Sequence, residues 1–140
     1  MKIQFAKTGK EIRKCLKAMQ ALRPHLKNEK EFLEKVKRQQ ANGYLLVFIE
    51  RKGIAVCAAG FRLAEFLSWG KVLYIDDLTT LPEHRGKGYA GAILDMLFDY
   101  ARENGCDEVH LDSGHQRYDA HRLYLHKGFR IIDHHLAKKV

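Results

Sequence analysis

The sequence predicts one α/β domain, a mixed sheet with helices on both faces, in the order βαα-ββ-βαβαβ. Three observations carry that prediction. Leu73 to Leu81 is a run of β-branched and apolar residues that stops at Pro82, which cannot continue a ladder. From Ala90, the apolar residues Ala90, Ile93, Leu94, Leu97, Phe98 and Ala101 recur at helical spacing and stop at Asn104-Gly105. The 140 residues, 46% hydrophobic and 30% charged, suit one globular domain over 1–140 and argue against disorder.

The remaining elements follow in order. Ile3 and Phe5 alternate with polar neighbours, giving a short half-buried strand. Thr8 and Glu11 have the spacing of a capping box, and Ile12, Cys15, Leu16 and Met19 extend one helix toward Arg23-Pro24. Asn28 and Glu31 repeat the start signal; Phe32, Leu33 and Val36 carry a second helix to Asn42-Gly43. Tyr44 to Glu50 and Ile54 to Leu63 read as a hairpin across Arg51-Lys-Gly53. Within it, Ala58-Ala59-Gly60 leaves room for something to pack closely. Glu65 to Gly70 links to the central strand. After Gly105 come a brief strand, Glu108 to Leu111, a polar loop, Asp112 to Asp119, and a helix from Ala120 to Lys127 closed by Gly128. Phe129, Ile131, Leu136 and Val140 supply closing strand material.

The net charge of +8 favours anionic partners, either nucleic acid or a multiply phosphorylated cofactor. The basic residues are nevertheless spread over several helix faces beside acids, the pattern of a solvated surface. No run of eighteen apolar residues could span a bilayer, and the N-terminal residues lack the apolar core of a secretion signal. With Cys15, Cys57 and Cys106 far apart and odd in number, the expectation is a cytoplasmic protein with reduced thiols. No C-x-x-C or H-E-x-x-H spacing supports a metal site.

Chemistry concentrates between the central strand and its helix, at Arg85-Gly86-Lys87-Gly88. A strand-to-helix corner aims unpaired backbone N–H groups and the positive end of the helix dipole at one spot. Glycines let phosphates approach the backbone without meeting a Cβ, and Arg85 and Lys87 add two cations. Such a corner suits a pyrophosphate. Gly86-Lys-Gly88-Tyr-Ala-Gly91 also matches G-x-G-x-x-G, with Asp112 about twenty residues on, which raises a dinucleotide-binding fold. Against that fold, Pro82 to Arg85 intervenes before the glycines, and too few βα units follow. A Walker-type phosphate loop is absent.

Pro82-Glu-His-Arg85-Gly-Lys-Gly88-Tyr-Ala90 resembles the R/Q-x-x-G-x-G/A signature of GNAT-type N-acetyltransferases, with Arg85, Gly88 and Ala90 in the signature places. Ala120-His-Arg-Leu-Tyr124-Leu-His-Lys-Gly128-Phe129 is similar to that family's second motif, a helix carrying a tyrosine followed by Gly-Phe. The likeness covers essentially the whole chain. It implies a mostly antiparallel sheet of six to seven strands. It also implies acetyl-coenzyme A with its pyrophosphate at Arg85, Gly86, Lys87, Gly88, Tyr89 and Ala90, and its pantetheine beside the backbone of Leu78, Thr79 and Thr80 like an added strand. The family often has an asparagine where this chain has Arg117, so Arg117 is expected to meet phosphate or an acidic acceptor instead.

Acetyl transfer to an amine needs a neutral amine, a stabilised oxyanion and a proton for the leaving sulfur. The family uses direct attack in a ternary complex, so no enzyme nucleophile is required, and Cys57 and Cys106 read as small buried hydrophobes. The resemblance makes Tyr124 the general acid, its phenol near pKa 10 (about the range of the leaving thiol); packing in the core is the other reading. Asp76 and Asp77 are the base candidates, because carboxylates in an apolar strand need partners or a purpose. Alternation sends them to opposite faces, so at most one meets the acceptor. A carboxylate with pKa about 4 would work through water; a structural salt bridge is the alternative. His115, His121, His134 and His135 are further base candidates. The loop Leu22 to Leu26 and Asp112 to Asp119 would wall the acceptor, a small-molecule or peptide amine whose identity stays open, as does homodimerisation. Two other classes remain: a non-catalytic acetyl-coenzyme A sensor, and a basic nucleic-acid-binding module lacking a recognition motif.

Overall fold

Alternating β-branched residues in the first part of the chain pair into a sheet whose two faces demand helices. The computed structural model describes residues 1–140 and divides into two units, Met1–His110 and Leu111–Val140. The strands are β1 (Ile3–Phe5), β2 (Leu45–Arg51), β3 (Ile54–Phe66), β4 (Gly70–Thr80) and β5 (Glu108–Leu111), in the spatial order β1-β2-β3-β4-β5. The first four run antiparallel to their neighbours. The Asp107 N–H donates to the Lys71 carbonyl at 2.9 Å. β5 and β4 therefore begin level with one another, as a parallel pair joined through a helix does.

The helices are α1 (Gly9–Lys14), α2 (Leu16–Leu22), α3 (Glu29–Gln40), α4 (Tyr89–Glu103) and α5 (Tyr118–His126). On one face of the sheet, Ile12, Cys15, Ala18 and Met19 of the first helical stretch and Phe32 and Val36 of α3 pack with Tyr44, Leu46, Phe48 and Ala58. The intervening Val47 and Ile49, equally buried, point the other way. α4 buries Ile93, Leu94, Leu97 and Ala101, and its Tyr100 meets Phe61 edge-on at 5.4 Å. Helices thus cover both faces. The start signals read from sequence are in place: Thr8 and Glu11 form a full capping box, and Asn28 accepts from the Glu31 N–H at 3.1 Å.

Three expectations change. The sheet has five strands rather than six to seven, and nothing after α5 is a strand. Ile131 and Leu136 are 84% and 90% exposed. Asp133-His134-His135 and Lys138-Lys139 interrupt the alternation there, so no continuous apolar face exists to fix a register. The first helix breaks at Cys15. Its thiol takes the Glu11 carbonyl at 3.6 Å while its N–H turns to Ile12 at 3.0 Å, a side-chain competition of the kind that bends helices. Finally, the supposed link Glu65 to Gly70 is a hairpin tip, since Phe66 pairs with Gly70 and β4 starts three residues before Leu73.

Burial pushes the Cys15 thiol up to about 12 and the Cys57 thiol to about 11, from an ordinary 9.0. The folded state therefore favours neutral sulfur at both sites. That contribution to stability is complete below pH 9 and is lost as pH rises through about 11 and about 12. Denaturant titrations between pH 7 and 11 should give a falling unfolding free energy, and Cys15→Ala should flatten the fall. The same slope in both proteins would contradict the assignment.

Candidate functional site

The corner after β4 is built by sequence in short steps. Pro82–His84 make one 3₁₀ turn with Pro82 first, where its missing N–H leaves nothing unsatisfied. The His84 and Arg85 amides return to the carbonyls of Leu81 and Pro82. Gly86 and Gly88 then take φ +73° and +79°, the left-handed region open to glycine. Gly88 is the N-cap of α4 and supplies no side-chain cap. None of the amides from Gly86 to Gly91 donates to a backbone carbonyl. A Cβ placed on Gly86 would meet nothing within 4 Å, so the approach is open. Arg85 and Lys87 are exposed, with Arg85 Nε on the Thr80 carbonyl at 3.2 Å and Lys87 Nζ on the Glu83 carbonyl at 3.1 Å. Arg51, the last residue of β2, lies 5.4 Å from the centre of the Tyr89 ring. It is a third cation here, invisible to a reading of the motif alone.

The two carboxylates sit on β4. Gly60 pairs with Asp77 and Phe61 with Ile75, so Asp76 is the extra residue of a bulge. The expectation that Asp76 and Asp77 point to opposite faces is therefore corrected, because a bulge breaks the alternation. Both reach the side of the sheet that carries α2 and α3. Asp76 is clasped by Arg62, through Nη2 at 2.6 Å and Nε at 3.1 Å, and Arg62 Nη2 also donates to Gln39 at 3.1 Å. That clasp raises Arg62 above its ordinary value. Asp77 accepts from Arg23 Nε at 3.0 Å and from the Tyr44 hydroxyl at 3.2 Å. Tyr44 is buried; burial first, then the charges of Asp77 and Asp76, push its phenol up, so it stays protonated and donates. Arg62 lies 5.5 Å from the centre of the Tyr44 ring.

Gly60 makes this possible. A Cβ there would overlap the Tyr44 hydroxyl, so the close packing read from Ala58-Ala59-Gly60 admits Tyr44. Arg23, Tyr44 and Arg62 belong to no motif in the sequence; the small residue at position 60 is the one local signal of their cluster. Thr79 is buried with its hydroxyl on the Ala18 carbonyl at 3.1 Å, and the Thr80 hydroxyl meets Cys57 Sγ at 3.2 Å. Both side chains are spent inside the protein. What Thr79 and Thr80 have to offer a ligand is backbone.

In the second unit, Arg117 and Tyr124 stand toward opposite ends of α5. Arg117 is its exposed N-cap and makes no side-chain cap bond, while His121 Nε2 meets the Gly114 carbonyl at 2.9 Å. At the other end the Phe129 N–H bonds the Tyr124 carbonyl at 3.0 Å and the Gly128 N–H bonds Leu125 at 3.1 Å, with Gly128 at φ +91°. This is a Schellman closure, and the Tyr124 and Phe129 rings meet edge-on at 5.7 Å, its usual apolar contact. The spacing of Tyr124 to Gly128-Phe129 thus has a folding reason of its own.

Comparison with known proteins agrees with this architecture. The model of the acetyltransferase (GNAT) family matches residues 12–129. The chain is 38% identical over 102 residues to the uncharacterized N-acetyltransferase YhdJ of Bacillus subtilis, covering 72% of this chain and 70% of that protein. It is 32% identical over 71 residues to streptothricin acetyltransferase of Streptomyces lavendulae, covering 51% and 38%. Among solved structures, a ribosomal-protein-alanine N-acetyltransferase from Brucella melitensis superposes with a TM-score of 0.84 at 17% identity over the full length of both chains. A predicted acetyltransferase from Clostridium acetobutylicum, solved with acetyl-CoA, gives 0.73 at 19% identity over 99% of this chain and 96% of that one. At those identities the solved structures share the fold.

The contact between Tyr44 and Gly60 can be tested directly. Gly60→Ala should destabilise the protein by about 1–3 kcal/mol through overpacking, and should remove the Tyr44 hydroxyl from Asp77. Unchanged denaturant stability would contradict this placement of Tyr44.

Proposed function

Because this chain belongs to the acetyltransferase (GNAT) family and is an N-acetyltransferase, we propose that it moves the acetyl group of acetyl-coenzyme A to a primary amine by direct attack within a ternary complex, with residues 1–140 acting as one such domain. The observation that supports this most is the row of unspent amides from Gly86 to Gly91 at the start of α4. Helix N-termini with glycine before them are suited to phosphates. Arg85, Gly86, Lys87, Gly88, Tyr89 and Ala90 would hold the pyrophosphate. The backbone of Leu78, Thr79 and Thr80 would run beside pantetheine. Arg117 would meet a phosphate or an acidic acceptor.

Acetyl-coenzyme A supplies, when bound, an acetyl group already activated as a thioester. The chain's own part is to deliver protons and hold the amine. Asp77, held in place by Tyr44 beneath it, takes the proton of the acceptor ammonium through water. Asp76, clasped by Arg62, fixes the bulge that aims Asp77. Tyr124 holds a proton at Oη for the departing sulfur. No helix of the chain is long and apolar enough to cross a membrane, and a cytoplasmic working place fits this reading. Relatives named for streptothricin and, in Bos taurus, for thialysine support an amine-bearing small molecule as acceptor, with a peptide amine the other form.

Thermal denaturation with acetyl-coenzyme A at a hundredfold excess over its Kd should give about 2.7 kcal/mol of stabilisation. Thiol release should follow with at least one amine of a broad panel. Tyr124→Phe should keep the stabilisation and lower kcat on the order of 10²-fold. No stabilisation at any concentration would overturn the function; full turnover in Tyr124→Phe would remove the acid role alone.

A further inference from the structure

We propose that Arg23 sets the acceptor specificity of this enzyme, selecting amines that carry a carboxylate beside the amine over amines that carry only positive charge. The inference rests on the function proposed above and names the class of acceptor.

The two arginines of the β4 cluster differ in how they are held. Arg62 makes three bonds to the Asp76 carboxylate and one to Gln39, and its side chain is 33% exposed. It is locked. Arg23 comes from the C-cap of α2, immediately before Pro24, and its side chain is 43% exposed against 18% for Asp77. Its Nε takes one oxygen of Asp77 and its Nη2 also reaches the Asp76 carbonyl at 3.2 Å. The other oxygen of Asp77 is held from below by Tyr44, which is buried. Arg23 is therefore the outer, solvent-facing partner of a carboxylate that is otherwise anchored from within.

An acceptor ammonium that comes to Asp77, with the water that relays its proton, must take the seat the guanidinium now fills. An exposed ion pair is weak enough for that exchange. The displaced guanidinium stays tethered to the end of α2, close to the incoming charge. If the acceptor is purely cationic, two like charges then share one rim, on a protein whose net charge is already +8. If it also carries a carboxylate, the order of charges becomes guanidinium, carboxylate, ammonium, Asp77, each beside its opposite. Arginine suits the second arrangement, since its planar fork pairs carboxylates through two parallel bonds. The cluster itself (Arg23, Arg62, Asp76, Asp77) is neutral, and a zwitterionic acceptor leaves it so.

L-lysine and 1,5-diaminopentane, which differ only by the carboxylate, test this. The wild-type protein loaded with acetyl-coenzyme A should show a KM at least tenfold lower for L-lysine. Arg23→Ala should raise the KM for L-lysine about tenfold and lower that for 1,5-diaminopentane, with the effect on KM rather than kcat; Arg23→Lys should restore part of the difference. Independently of turnover, the Arg23 Nε–H resonance should move at an at least tenfold lower concentration of L-lysine than of 1,5-diaminopentane at equal ionic strength. Equal shifts of KM for both amines in Arg23→Ala, a preference for 1,5-diaminopentane in the wild type, or binding of neither amine while acetyl-coenzyme A still stabilises the protein would overturn the inference. Absence of any stabilisation by acetyl-coenzyme A would instead overturn the function it rests on.

Discussion

Backbone donors that the fold leaves unspent are the constraint on which the rest of this structure turns. From Gly86 to Gly91 the chain presents amides without an acceptor in the protein backbone, at the start of the 15-residue helix α4. Such groups have to be met by water or by a ligand. A capping serine or aspartate at position 88 would have met one of them internally. The chain has glycine, at a φ of +79° that a side chain would resist. The corner is thereby kept both open and positively polarised, with Arg85, Lys87 and Arg51 around it.

A second constraint sits on the strand that feeds this corner. The bulge at Asp76 gives β4 one residue more than β3 between Gly60 and Phe61. Its consequence is chemical: two neighbouring carboxylates that a regular strand would separate share one face and divide the work. Arg62 neutralises Asp76 and ties it to α3 through Gln39. Asp77 is left with a buried hydroxyl on one side and an exposed guanidinium on the other. Thr79, two residues on and on the same face, is packed against α2, which fixes the distance between helix and strand. The small residue at 60 and the large one at 44 are parts of the same device.

Much of this is legible in the sequence, and the reasons are local. Thr8 with Glu11, Asn28 with Glu31, Pro82 with the following glycines, and Gly128 with Phe129 each specify a backbone event within a few residues, so sequence and structure agree there. What escaped depends on partners far along the chain. Arg23 and Asp77 are 54 residues apart, and Tyr44 and Asp77 are 33 apart. The bulge is a property of the β3–β4 register, and strand periodicity alone placed Asp76 and Asp77 on opposite faces. The break at Cys15 arose from a thiol competing for a carbonyl within an otherwise uninterrupted helical stripe. The closing strand was expected from scattered apolar residues that share no common face.

The central claim is that the corner after β4 grips a diphosphate with its own amides. An amide-resolved NMR titration with coenzyme A tests it most directly. The largest shifts are expected at Gly86, Lys87, Gly88, Tyr89, Ala90 and Gly91, saturating together, with loss of those shifts in Gly88→Val and the rest of the spectrum preserved. Saturable binding of coenzyme A that leaves those six amides unmoved would contradict it.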